Sequence, residues 1–260
     1  MEEKAEIGII GGTGVYEFLK DSKEIKVYTP FGEPSDLIGI GIFKGRKIAF
    51  IPRHGKGHRI PPNKINSRAN IWAFKELGVK RIVAPAAVGS LRENIKPGDI
   101  VIPNQFIDRT YRVSSFYEGG KVCHISTADP FCPQLIDVVS KTCKELNFPF
   151  HTPATYVCVE GPRFSTRAES KLYREWGADI IGMTLLPECV LAREAEICYV
   201  CIGTVTDYDV WAEKPVSTEE VIRTLKENIN KTRKLLEELL PKIPLERNCK
   251  CKDALKDAFI

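Results

Sequence analysis

The amino-acid sequence predicts a single α/β domain with a central mixed, partly barrel-like β-sheet flanked by helices. Three observations lead there. Short apolar, β-branched runs alternate with stretches of helical period, with hairpins inserted among them. The 260 residues are 43% hydrophobic and 28% charged, enough for one substantial core. Glycine-rich and polar segments gather where strands should end, the edge at which α/β sheets hold ligands. The domain is expected over residues 1–245, followed by a polar tail, 246–260, that carries Cys249-Lys250-Cys251.

Taken in order, Ile7-Gly8-Ile9-Ile10 reads as a first, central strand. Gly11-Gly12-Thr13-Gly14 follows, a turn whose backbone N–H groups and Thr13 hydroxyl could meet an anion. Residues 25–28, 37–43 and 47–51 read as strands, with Gly45-Arg46 as a hairpin turn. The segment Pro52-Arg53-His54-Gly55 opens a dense basic loop, in which Arg53 offers a planar fork for an oxyanion and His54 a second donor. Ser67 is placed to cap a helix that runs to Leu77 and stops at Gly78. The strand from Arg81 ends in Ala86-Ala87-Val88-Gly89-Ser90, small residues that permit close backbone approach to a ligand. Residues 100–108 read as one strand, 109–132 as a loop containing His124, and 133–146 as a helix.

The strand Tyr156–Val159 runs into Glu160-Gly161-Pro162-Arg163-Phe164-Ser165-Thr166, which leads to a helix. A short strand at 179–181 precedes Gly182-Met183-Thr184 and a helix with Pro187 in its first turn. The apolar run 197–205 is a buried strand, and at its end stands Thr206-Asp207-Tyr208-Asp209. In extended chain, residues two apart share a face, so Asp207 and Asp209 should point to one place. Ser217-Thr218-Glu219-Glu220 has capping-box spacing, and the helix behind it stops at Pro241.

Composition narrows the function classes. Thirty-eight basic against 34 acidic residues, net +4, is too balanced for a nucleic-acid or membrane surface. No apolar run reaches about eighteen residues, and the acidic start Met1–Glu6 does not resemble a leader, so a cytoplasmic protein is expected. Cys198-x-x-Cys201 lies within a strand, where positions three apart face opposite sides, and not at a helix start as in redox motifs. With four histidines in the chain and about four well-spaced ligands needed for zinc, no metal is expected. Buried thiols are the ordinary reading of the nine cysteines, with disulfides open for a hyperthermophile.

The ordered set Ile9–Gly14, Pro52–Gly55, Gly89–Leu91, Glu160–Ser165, Gly182–Thr184 and Thr206–Asp209 resembles the methylthioadenosine-cleaving branch of the trimer-forming purine nucleoside phosphorylases, over about residues 5–240. The resemblance implies phosphorolysis of 5′-methylthioadenosine to adenine and a ribose 1-phosphate, with inorganic phosphate as co-substrate and no cofactor, in a homotrimer or hexamer. It places phosphate on Thr13, Arg53, His54, the backbone at Ala86 and Ala87, and Thr184. Met183 would pack on the ribose; Phe164, Ser165, Asp207, Tyr208 and Asp209 would surround the purine. Thr218, Val221 and Ile222 would line the 5′-pocket, with His124 reaching it in a neighbouring subunit. Alanine at 86 lacks the hydroxyl common there in the family, which leaves that contact to the backbone. The resemblance and placement suggest pairing Cys132 with Cys198 and Cys249 with Cys251. Asp207, its pKa raised beside a second carboxylate, is expected to be the acid at N7, with Asp209 tuning it or meeting the 6-amino group. Against this stand a broad-specificity purine nucleoside phosphorylase, a non-catalytic homologue, and a dinucleotide-binding fold on Gly11–Gly14. The last asks for an acid about twenty residues on, and Glu33 fits loosely.

Overall fold

A computed structural model describes residues 3–12, 22–212 and 218–260. Its centre is β1 (Ile7–Gly11), every residue of it buried, lying parallel to β4 (Arg46–Pro52) on one side and β5 (Arg81–Ser90) on the other. Beyond β4 come β3 (Ile38–Phe43) and β2 (Lys23–Ile25), both antiparallel to their neighbours. The other edge of β5 carries β11 (Cys198–Asp207), a parallel partner along almost its whole length.

The period-two alternation of these strands divides the molecule into two cores. Ile10, Ala49, Ile51, Ile82, Ala84, Tyr199 and Cys201 face a core closed by α1 (Ser67–Glu76) and α4 (Glu188–Glu194). Ile7, Ile9, Ile48, Phe50, Val83, Cys198, Val200 and Ile202 face the other, closed by α2 (Pro133–Glu145) and the leucines of α5 (Thr218–Leu239). Both faces are covered, so the strands read as unbroken apolar runs. Cys198 and Cys201 fall in different cores, as expected for residues three apart on a strand.

The sheet has a gap that makes room for a ligand. β1 pairs with β5 only as far as Val83, and β10 (Ile180–Gly182) takes over on the same side at Gly89, antiparallel. Between them Ala84–Val88 have β11 on one edge and no strand on the other among the described residues. Pro85, which has no N–H to pair, is at home there. The sheet continues from β10 through β9 (Thr155–Val159) to β7 (Gln105–Arg109). From β11 a branch runs through β6 (Ile100–Val101) to β8 (Phe150–His151). Helix α3 (Arg167–Glu175) opens with a reciprocal capping box between Thr166 and Glu169.

Several local expectations change. The single strand expected at 100–108 is two strands in different parts of the sheet, because Pro103 interrupts the ladder. The hairpin turn is Lys44-Gly45, both at positive φ, rather than Gly45-Arg46, since a two-residue hairpin favours that twist. Asn66 caps α1 in place of Ser67, its side chain accepting from the Ala69 N–H at 3.1 Å. The strand expected at 25–28 lies earlier, at Lys23–Ile25, and β8 was not foreseen. The tail 246–260 packs against the domain: Arg247 donates to the Glu196 carbonyl at 2.6 Å, and Cys249 and Cys251 join the second core. Glu33, the loose dinucleotide candidate, is exposed and paired with Lys26 at 2.8 Å. Among the described residues no helix is long and apolar enough to cross a membrane.

Candidate active site

A cavity of about 270 Å³ fills the gap at the carboxyl ends of β5 and β11. On β5 the burial pattern marks it: Ala87 is exposed while its neighbours are buried. In a strand the N–H and C=O of one residue point to the same edge and alternate along the chain. The Ala86 and Val88 carbonyls accept from the Thr204 and Thr206 hydroxyls of β11, at 3.3 and 3.2 Å. The Pro85 carbonyl instead accepts from Arg53 in the gap. Ala87 therefore turns its N–H toward the cavity, and Ala86 turns its own toward β11. Of the two alanines expected to meet an anion through the backbone, the geometry favours Ala87.

The anion side is built by the strand ends of β1 and β4. Arg53, 2% exposed, donates through Nε and Nη2 to both oxygens of the buried Glu188, at 2.9 and 3.0 Å. It also donates to the carbonyls of Pro85 at 3.0 Å and Ile10 at 3.2 Å. Four bonds leave one of its five N–H groups for a ligand. Burial alone would lower its pKa, but the Glu188 charge more than offsets that and the pKa is raised. Tyr199 donates to Glu188 at 2.6 Å, completing a satisfied buried network. His54 donates from Nδ1 to the Ile60 carbonyl at 2.9 Å and stacks on His58 with ring centroids 4.2 Å apart. Burial, with the Arg53 and His58 charges, holds its pKa down at about 4, against an ordinary 6.5. A neutral ring whose Nδ1 carries the proton presents Nε2 as an acceptor, so His54 is not the second donor the sequence suggested. Gly12 and Thr184 complete this wall.

The opposite wall holds the carboxylates, and here the expected reason fails while the expected outcome stands. Pairing of β11 with β5 jumps from Val205–Val88 to Asp207–Gly89, a bulge of one residue. The bulge lets Thr206 and Asp207 both line the cavity. Asp209 is no longer in extended chain; its φ is 51°, and its N–H donates to Asp207 Oδ1 at 2.7 Å. A side-chain turn, not strand alternation, puts the two aspartates side by side. Thr206 Oγ1 lies 2.6 Å from Asp207 Oδ2 and 3.2 Å from the Val88 carbonyl, with one proton for two acceptors. Asp207 can thus be ionised and accept from Thr206, or hold a proton on Oδ2 and donate while Thr206 turns to Val88. Asp209 has a raised pKa, because burial pushes its carboxyl up. Its Oδ2 is buried and has no partner among the described residues. A Cβ on Gly89 would stand 2.9 Å from Asp207 Oδ1, so glycine is what lets β5 pass beneath the pair.

Phe164, Ser165 and Met183 line the same cavity. Arg112, overlooked in the sequence, fixes their loops by donating to the carbonyls of Met183, Leu186 and Glu160, at 2.8, 2.8 and 2.5 Å. A Cβ on Gly182 would meet the Tyr156 hydroxyl at 1.9 Å, so only glycine fits there. Tyr208 packs edge-on against Trp211, with centroids 5.5 Å apart, and is not among the lining residues. Ile222 is 48% exposed and also outside the lining. It shares a face of α5 with Ile229, but stands two turns, about 10.5 Å, further along the axis. Asn228, Ile229 and Thr232 form that wall instead. His124 is exposed and does not reach the cavity of its own chain. Thr13 and the side chains of Thr218 and Val221 lie outside the described residues.

Comparison with known proteins adds an independent line. The sequence pattern of the phosphorylase superfamily matches residues 6–241. The chain is 61% identical to the S-methyl-5′-thioadenosine phosphorylase of Nitrosopumilus maritimus over 99% of each chain. It is 58% identical to that of Pyrococcus furiosus, over 98% of this chain and 99% of that one. Among solved structures, a methylthioadenosine phosphorylase from an antarctic soil metagenomic library superposes with a TM-score of 0.94 at 45% identity, covering 100% of this chain and 93% of that one. A Schistosoma mansoni adenosine/methylthioadenosine phosphorylase mutant in complex with methylthioadenosine gives 0.91 at 37% identity, covering 98% and 97%.

Proposed function

The chain belongs to the phosphorylase superfamily, and from that membership we propose that it cleaves S-methyl-5′-thioadenosine with inorganic phosphate, giving adenine and 5-methylthioribose 1-phosphate. The observation that carries this reading is the cavity itself, with donors for an anion on one wall and two aspartates for a purine on the other. Full-length identity to phosphorylases of this nucleoside supports it.

The reaction breaks the bond from the sugar C1′ to the purine N9 and forms one from C1′ to a phosphate oxygen. Over the whole reaction, hydrogen phosphate loses a proton and adenine gains one. The attacked carbon takes on oxocarbenium character, which an anion held beneath it stabilises. Arg53, already oriented by Glu188, lends its remaining N–H and its charge to the phosphate. The Ala87 N–H adds a donor. His54 accepts the P–OH of a monoprotonated phosphate at Nε2. On the other face, Asp207 is the acid toward N7, and Thr206 gives its proton a place to rest between turnovers. The unpartnered Asp209 Oδ2 takes the 6-amino group, a donor that a 6-oxopurine lacks. The reaction so written asks for no cofactor beyond phosphate.

The same reading places the enzyme in a homotrimer or a hexamer, in which the exposed His124 of one subunit reaches a neighbour's 5′-pocket. Light scattering on the eluting protein tests the assembly. The function is tested by phosphate-dependent base release from methylthioadenosine, adenosine and inosine. Methylthioadenosine is expected to have the highest kcat/KM; inosine in first place, or release without phosphate, would overturn the assignment.

A further inference from the structure

Four cysteines from three distant parts of the chain meet in the second core, away from the cavity. Cys132 stands at the start of α2, Cys198 opens β11, and Cys249 and Cys251 belong to the short 3₁₀ turn of the tail. Their sulfur atoms all lie within 4.8 Å of one another, and those of Cys198 and Cys249 are 3.4 Å apart. None of the four is more than 9% exposed. A tetrahedral zinc ion with Zn–S bonds of about 2.3 Å spaces its sulfurs about 3.8 Å apart, a spacing that sulfurs all within 4.8 Å of one another can reach by small side-chain shifts. No disulfide joins any of the nine cysteines in the structure.

We propose that Cys132, Cys198, Cys249 and Cys251 form a tetrathiolate site for a thiophilic divalent cation, zinc before others. The donor set is the one such ions select, and the closed, buried geometry with no open position is that of a structural site. On binding, each thiol gives its proton to solvent and no atom changes oxidation state. The ion would pin residues 249–251 to α2 and β11, beside the polar tie of Arg81 to the Glu246 carbonyl. The sequence alone argued against a metal because it counted ligands by spacing; the fold brings them together from positions 132, 198, 249 and 251.

The test uses the full-length protein purified under reductant, without chelator or added metal. Elemental analysis is expected to find about one zinc per chain, with the four thiols shielded from iodoacetamide until the metal is stripped. Cobalt in its place should give the intense visible bands of a tetrahedral thiolate complex. The double substitution Cys249→Ser with Cys251→Ser should lose the metal and the cobalt bands, lower Tm, and leave kcat unchanged, since neither residue lines the cavity. Protein that holds no zinc and takes up no cobalt, its four thiols freely alkylated, would overturn the proposal. So would a metal-free chain trapped from lysed cells by alkylation with a mass showing disulfides among the four. If the double variant does not fold, the wild-type zinc content and cobalt spectrum still decide.

Discussion

The two walls of the cavity are built on opposite principles. On the anion side, Arg53 spends most of its donors on Glu188 and two carbonyls, and Tyr199 completes the network. The charge there is held in place by hydrogen bonds within the protein, as electrostatic catalysis prefers. On the base side, Asp209 Oδ2 has no partner among the described residues, and Thr206 has one proton for two acceptors. That wall is left incomplete, and the purine would complete it. The contrast follows from the chemistry: the phosphate stays an anion throughout, whereas the leaving base must receive a proton. A wall that only holds charge can be saturated with hydrogen bonds, but a wall that moves a proton needs spare capacity.

If the contrast is right, substitutions on the two walls should fail in different ways. Asp207→Asn removes the acid and should lower kcat by about 10²–10⁴-fold while circular dichroism stays unchanged; near wild-type turnover would show that Asp207 is not the acid. Glu188→Gln leaves a buried guanidinium without its counter-charge and should cost about 3–5 kcal/mol in urea unfolding. It should also raise the KM for phosphate more than that for nucleoside; an unchanged phosphate KM would detach the pair from the anion site. Asp209→Asn should narrow the preference for 6-amino over 6-oxo nucleosides by about 1–3 kcal/mol in kcat/KM, measured as adenosine against inosine. A preference left intact would assign the amine to another group.

Gly89→Ala crowds Asp207 Oδ1 from 2.9 Å and should lower kcat about tenfold through misplacement of the acid, with little change in phosphate KM. The smallest effect is expected from His54. Its folded pKa of about 4 lies below the ordinary 6.5, so in that window the unfolded chain binds more protons. The stability associated with neutral His54 is full above pH 6.5 and is lost as pH falls toward 4. His54→Asn should flatten that part of the stability–pH curve; an identical slope in both proteins would mean that His54 titrates normally.

The sequence already carried the strands of the central sheet, because Ile7–Ile10, Arg81–Val88 and 197–205 are apolar on both faces and bounded by turns. It also carried most of the two walls: Arg53, His54, Ala87, Phe164, Ser165, Met183, Thr184, Asp207 and Asp209 all line one cavity. Glu188 could have been found as a lone acid within the apolar stretch 185–192, and Thr204 and Thr206 as hydroxyls alternating through a buried strand. What could not be read was how these groups are oriented. That Arg53 is mostly occupied, that His54 accepts, and that Asp209 has a raised pKa depend on neighbours from other strands and helices.

Residue type and local period thus determined which elements form and which side chains gather at the strand ends, since both follow from short-range sterics and burial. Tertiary structure alone decided the one-residue bulge that turns Asp207 inward, the strand gap that frees the Ala87 N–H, and the meeting of four cysteines from three segments. Each of these depends on pairing between residues far apart in the chain, where register is set by the partner strand and not by the local sequence.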